Sequence, residues 1–149
     1  MTLALPRETI FSPCRQYRYV LWREWDMFCP RFAMFVGLNP STADEVTDDP
    51  TIRRCVGFAK AWGYGALCMT NLFAYRATDP QQLFAVEEPV GPDNDAWLIK
   101  IAREAMAVIV AWGVHGHYQG RATHVSAMLS DDSAVMPLMC LGYTKGQSP

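Results

Sequence analysis

Four short apolar runs, each followed by a polar break, constrain this chain more than any other feature. They are FAMFVGL at 32–38, ALCMTNL at 66–72, AVIVAW at 107–112 and AVMPLMCL at 134–141. Runs of this length suit strands buried on both faces. Helix-patterned segments separate them. Ile52, Cys55, Val56, Ala59 and Trp62 fall on one helical face, as do Leu98, Ile101, Ala102 and Ala105 on another. Asp49-Pro50 reads as a helix start, with Asp as the cap and Pro in the first turn, and Gly63 reads as its stop. Alternation of this kind predicts a largely parallel sheet with right-handed crossovers and helices on both faces. The carboxyl ends of parallel strands share one edge. The turns after Leu38, Leu72, Trp112 and Leu141 are therefore expected to converge there, which is where open α/β sheets place their sites.

The remaining segments are less regular. Residues 1–16, with Pro6 and Pro13, read as an irregular lead-in. Residues 17–25 (YRYVLWREW) alternate Tyr17, Tyr19, Leu21 and Arg23 against Arg18, Val20, Trp22 and Glu24, which predicts an edge or antiparallel strand. A short helix is expected at 80–86 and longer ones at about 93–106 and 118–129. Pro137 argues against a central position for the last run. The expected whole is one α/β domain over 1–149, a three-layer sandwich around a short, mostly parallel sheet of four to five strands.

Charge and cysteine usage narrow the function classes. Thirteen Lys and Arg against 15 Asp and Glu leave a net charge of -2, with no global pull toward nucleic acid. A nucleic-acid contact would need a local basic patch, or a small substrate such as a free nucleotide. The 5 cysteines are odd in number and form no CxxC pair, which argues against a zinc site or disulfide framework and for a reducing cytoplasm. Cys55, Cys68 and Cys140 lie in apolar stretches and read as core. No basic-then-apolar leader and no membrane-length apolar run occurs in these residues. Walker, GxGxxG, HExxH and GxSxG motifs are absent. Neither a cofactor nor a metal is expected.

The loops supply the chemistry. The first holds Asn39, Pro40, Ser41, Thr42 and Asp44. These are ordinary turn residues, yet the Asn39 amide can orient a water or a ligand carbonyl, and Asp44 can act as a base. The second holds Asn71, Tyr75 and Arg76, which suit a base edge, a ring and a phosphate. A strand-end Asn satisfying backbone groups, a packed Tyr and a solvated Arg are the plainer alternative. The third holds Trp112, Gly113, His115 and His117; an aromatic and an imidazole near neutral pKa suit stacking and acid–base work. A surface histidine is also commonly incidental.

The segments RYVLWREW, FVGLNPSTAD, DDPTIRRCVGFAKAWGYG, NLFAYRATDP, GPDND and AWGVHG resemble a bacterial and phage family, domain of unknown function 1643. That resemblance covers nearly the whole chain and brings no activity with it. A more remote one brings chemistry. Gly37-Leu38-Asn39-Pro40-Ser41 resembles the Gly-x-Asn-Pro-Gly turn of mismatch-specific uracil-DNA glycosylases. Residues 70–76 (TNLFAYR) resemble the Thr-Asn … Arg segment of another branch of that superfamily, and 108–113 (VIVAWG) its next strand. The likeness implies a uracil-DNA-glycosylase-like fold with the site at the strand ends. It implies that Asn39 positions the attacking water and Asn71 bonds the base edge. Ser41 stands where the glycosylase turn has Gly. The His-Pro pair that follows Lys-x-Gly-x-Pro in the nearer family is not found after Lys145-Gly146-Gln147-Ser148-Pro149, which implies a truncated or naturally short C-terminus.

Two function classes follow. One is a glycosylase-like hydrolase acting on an N-glycosidic bond of a nucleotide or nucleic acid. Here Asn39 and Asp44 are catalytic, and Gly37, Pro40, Ser41, Asn71, Tyr75, Arg76, Trp112 and His115 bind substrate. The other is a module on the same fold that binds a nucleotide or nucleic acid without turnover, or that binds a protein through Tyr19, Trp22 and Trp25.

Overall fold

A computed structural model describes residues 7–143 and 148–149. Strands β1 (Ile10–Phe11), β2 (Arg18–Glu24), β3 (Phe32–Gly37), β4 (Ala66–Asn71), β5 (Ala107–Val110) and β6 (Leu138–Cys140) form one sheet in the order β1-β2-β4-β3-β5-β6. β4, β3, β5 and β6 are parallel neighbours, whereas β2 runs antiparallel to β4 and β1 antiparallel to β2. The sheet is thus mixed and six-stranded, not a mostly parallel one of four or five strands. The added strand comes from the lead-in. The chain reverses between β1 and β2 through Arg15, a left-handed residue at φ 59°, and lays Ile10 against Val20.

Period-two alternation divides the core between the two faces. Ala33 and Phe35 of β3, with Leu67, Met69 and Ile109, meet Ile52, Cys55 and Ala59 of helix α1 (Pro50–Ala61). Met34 and Val36, with Cys68 and Val108, meet Leu98 and Ile101 of α3 (Asn94–Glu104) and Val125 and Leu129 of α4 (Arg121–Ser130). The short helix α2 (Pro80–Ala85) buries Leu83 in this second cluster. The thiols of Cys55 and Cys68 are in the core, and burial pushes them up, Cys55 to about 11.

Helix starts follow local chemistry. Asp49 accepts the Ile52 N–H at 2.9 Å, and Pro50 occupies the first turn. Asp79 and Gln82 form a capping box on α2. Two boundaries differ from the periodic reading. The helix expected from 118 starts at Arg121, because Gln119 (φ 53°) and Gly120 (φ 67°) are left-handed and leave 114–120 as a 3₁₀ segment. The strand expected over 134–141 pairs only at Leu138–Cys140, where the ladder begins after Pro137, a residue with no N–H to give. The expected helices at 50–63, 80–86 and 93–106 and the strands at 32–38, 66–72 and 107–112 are all present. Residues 1–6 of the lead-in and 144–147 of the tail lie outside the described residues. No helix is long and apolar enough to cross a membrane among the described residues.

Candidate functional site

The parallel core puts the ends of β3, β4 and β5 side by side. Pairing continues past the strands: the Leu72 N–H donates to Gly37 O at 2.9 Å, Phe73 N–H to Leu38 O at 3.0 Å and Ala77 N–H to Pro40 O at 2.9 Å. The first two loops therefore run together for several residues after leaving the sheet.

Behind them lies a buried polar network, in which Asn94 Oδ1 has no hydrogen-bond partner among the described residues. The Leu72 carbonyl accepts from Asn94 Nδ2 at 3.0 Å, Arg121 Nε at 3.1 Å and Arg121 Nη2 at 2.8 Å. Asn94 Nδ2 also donates to Asn71 O at 2.9 Å, and Arg121 Nη2 donates to Asp95 Oδ1 at 2.8 Å. Burial alone would push the Asp95 carboxyl up. The Arg121 hydrogen bond and charge, helped by His124, outweigh it and hold the carboxyl below its ordinary value. Asn94 and Arg121 are buried, so these bonds fix the end of β4 from the α3–α4 side. Sequence reading missed both, since each sits at a helix start where a polar residue looks solvated.

In front, β2 laces the acidic loop. Arg23 donates to Asp48 Oδ1 at 2.7 Å, Asp44 O at 2.7 Å and Thr47 O at 3.1 Å. Arg18 is buried and donates to Ala43 O at 3.0 Å, while its Nε has no hydrogen-bond partner among the described residues. Loss of solvent brings its guanidinium down to about 10. Arg15 meets Glu45 fork to fork, at 2.7 and 3.0 Å. The sequence did carry a signal for this: four carboxylates after one turn need counter-charge, and Arg15, Arg18 and Arg23 supply it.

Between the β1–β2 turn and the first two loops opens a pocket of about 440 Å³. Arg15 and Gln16 line one side, Ser41 and Thr42 another, and residues 75–78 with Gln82 the third. Arg76 and Arg15 both lie over the Phe11 ring, at 4.9 and 3.9 Å from its centroid. Tyr75 is half-buried, with its ring edge-on to Tyr17 at 5.8 Å. Arg76 donates to Arg15 O at 3.4 Å and forms no ion pair among the described residues. A partly exposed cation with no carboxylate in direct contact among the described residues, set among hydroxyls and amides, suits an anion.

The expected site residues divide by location. Ser41, Tyr75 and Arg76 line the pocket. Asn39 stands beside it, its Nδ2 donating to Pro40 O at 3.0 Å and Ala77 O at 2.8 Å. Its Oδ1 is left to accept. Pro40 is buried, and its carbonyl takes part in that clasp. The Asp44 carboxylate accepts the Val46 and Thr47 N–H groups at 2.9 and 2.7 Å, which holds it below its ordinary value. Asn71 is buried at the end of β4, and its Nδ2 has no hydrogen-bond partner among the described residues. Gly37 makes room for it: a Cβ there would come within 2.9 Å of Asn71 Oδ1 and 2.8 Å of Met69 Cε. Trp112 is buried in the core under Gly116, and His115 is exposed with its ring edge toward Phe84 at 5.5 Å. Neither lines the pocket. Tyr19 and Trp22 are buried, and Trp25 donates to Tyr64 O at 2.9 Å, so these aromatics serve the interior and the α1 end rather than a free surface.

No His, Cys, Asp or Glu group suited to a metal ion occurs among the described residues. A second cleft of about 350 Å³ is lined mainly by apolar and aromatic side chains, among them Trp62, Tyr64, Ile109 and Met139.

Fold and pocket together define an α/β protein with a polar, cationic pocket at the carboxyl edge of its sheet. Residues 18–149 match the model of a protein family of unknown function, DUF1643, and the chain belongs to that family. No curated protein and no solved structure matches it.

Proposed function

We propose that this chain binds a nucleotide or nucleic acid through a phosphate held in the pocket of Arg76, Ser41 and Thr42. The observation that carries the reading is the Arg76 guanidinium, over Phe11 and with no ion pair among the described residues. A phosphate oxygen is the acceptor such a fork is shaped for. Tyr75 offers a ring beside it for a base or sugar. Titration of the full chain with nucleoside 5′-monophosphates and with single-stranded oligonucleotides tests this. One of the two binds, and Arg76→Ala weakens it about tenfold or more, the size of a lost charged hydrogen bond. Equal affinity in the variant, or no binding of either probe, contradicts the reading.

A second reading, hydrolysis of the ligand's N-glycosidic bond, is favoured by one specific feature. The Asn39 amide is clamped by its N–H groups, so its carbonyl oxygen has a fixed direction in which to accept from a water. Asp44 is a weaker base than a free carboxylate, because two N–H groups hold its charged form. Asn39 is then the water-positioning residue and Asp44 at most its assistant. Chromatography of free base released from nucleotides and modified oligonucleotides tests it. Release by the native chain and its loss in Asn39→Ala support hydrolysis; no release, or equal release, contradicts it.

A further inference from the structure

The two pocket arginines are not equivalent. Arg15 is already occupied: Glu45 takes both sides of its guanidinium, at 2.7 and 3.0 Å. Arg76 is not. Both cations share the Phe11 ring, which brings like charges into one small space. The Arg15–Glu45 side chains are about half exposed, at 50% and 46%, so their pair is weakly held and open to exchange. Arg15 also holds a left-handed backbone at φ 59°, a conformation that costs a non-glycine residue energy and that the surrounding turn must enforce.

We propose that Glu45 is a displaceable counter-ion on Arg15, and that one terminal phosphate of a small ligand replaces it and is held by Arg15 and Arg76 together. This rests on the reading of the pocket as a phosphate site. A phosphomonoester carries close to two negative charges near neutral pH, matching two guanidiniums, whereas a phosphodiester carries one. The Ser41 and Thr42 hydroxyls line the same space and suit the remaining oxygens. The surroundings select against a polymer. Asp79 directly follows the lining residue Thr78, Glu45 is bonded to Arg15, Asp44 acts electrostatically on Arg76, and the chain carries a net charge of -2. A nucleic acid gains its affinity from several phosphate contacts at once, and flanking carboxylates repel every phosphate but the one in the pocket.

Calorimetric titration of the full chain with ribose 5-phosphate, ribose and a single-stranded oligonucleotide tests the proposal. Ribose 5-phosphate binds and ribose does not. Glu45→Gln tightens ribose 5-phosphate about two- to fivefold, the range set by an exposed carboxylate–guanidinium pair. In an Arg15→Ala background, Glu45→Gln leaves affinity unchanged. The salt dependence for ribose 5-phosphate is shallow, because a single phosphate has no condensed counterion atmosphere to release. If ribose 5-phosphate binds but Glu45→Gln does not tighten it, or tightens it equally without Arg15, the exchange is overturned while the phosphate site stands. If the oligonucleotide binds more tightly, with a salt slope of several charges, the small-ligand assignment is overturned. If no phosphate-bearing probe binds, the phosphate site itself falls, and this proposal with it.

Discussion

Arg121 and Arg76 sit on opposite sides of the same loop and do opposite things. Arg121 is buried and donates to the Leu72 carbonyl twice and to Asp95 once, tying the end of β4 to α3. Arg76 is partly exposed, makes one long bond to a carbonyl, rests on an aromatic ring and faces an open pocket. Burial with three hydrogen bonds marks a cation that holds the fold. Exposure with pairing left over marks one that has something else to hold. Neither residue type nor neighbouring sequence draws that distinction; only the partners do.

The largest effect that sharpens the comparison is on stability. Arg121→Ala removes three hydrogen bonds at the end of β4 and leaves Asp95 without its main partner. It is expected to cost about 2–4 kcal/mol in chemical denaturation. A loss below about 0.5 kcal/mol, the size of an ordinary surface change, would erase the difference between the two arginines. Gly37→Ala comes next. Its new Cβ meets Met69 Cε and Asn71 Oδ1, both inside the core, so one of them must shift, at about 1–3 kcal/mol. Unchanged stability would mean the Asn71 amide is loosely held.

The smallest effect is on acid stability. The folded Asp95 carboxyl lies below its unfolded value of 3.8, so the stability it contributes is complete above that value and is lost as pH falls through the folded one. Asp44 and Asp132 are lowered too and act in the same window. Stability should therefore fall below about pH 4, and the fall should be shallower in Arg121→Ala, which lacks the cation that lowers Asp95. An identical acid slope in both would contradict the assigned cause.

Much of this architecture was legible in the residues. Apolar runs such as AVIVAW and caps such as Asp49-Pro50 are local signals, and the strands and helices they predict are present. Convergence of the strand ends followed from alternation alone. β1 was not legible, because two residues show no period. Nor was the start of α4, where Gln119 and Gly120 override a periodic pattern by backbone conformation. Ser41, Tyr75 and Arg76, which line the pocket, were legible as polar and aromatic residues of the loops after β3 and β4. Arg15 was missed because its place depends on the β1–β2 turn folding across the sheet edge. Trp112 was legible as a strand-end aromatic, but whether it points at the loops or into the core depends on Gly116, whose lack of a side chain lets the next turn close over the indole.

The central claim is that the pocket under Arg76, and not the network around Arg121, receives the ligand. The most direct measurement follows the side-chain Nε–H signals of both arginines by NMR during titration with a nucleoside 5′-monophosphate. The account predicts that Arg76 and Arg15 shift with a common saturation curve while Arg121 stays in place. Movement of Arg121 with Arg76 unmoved, or saturable shifts that bypass the pocket, would contradict it.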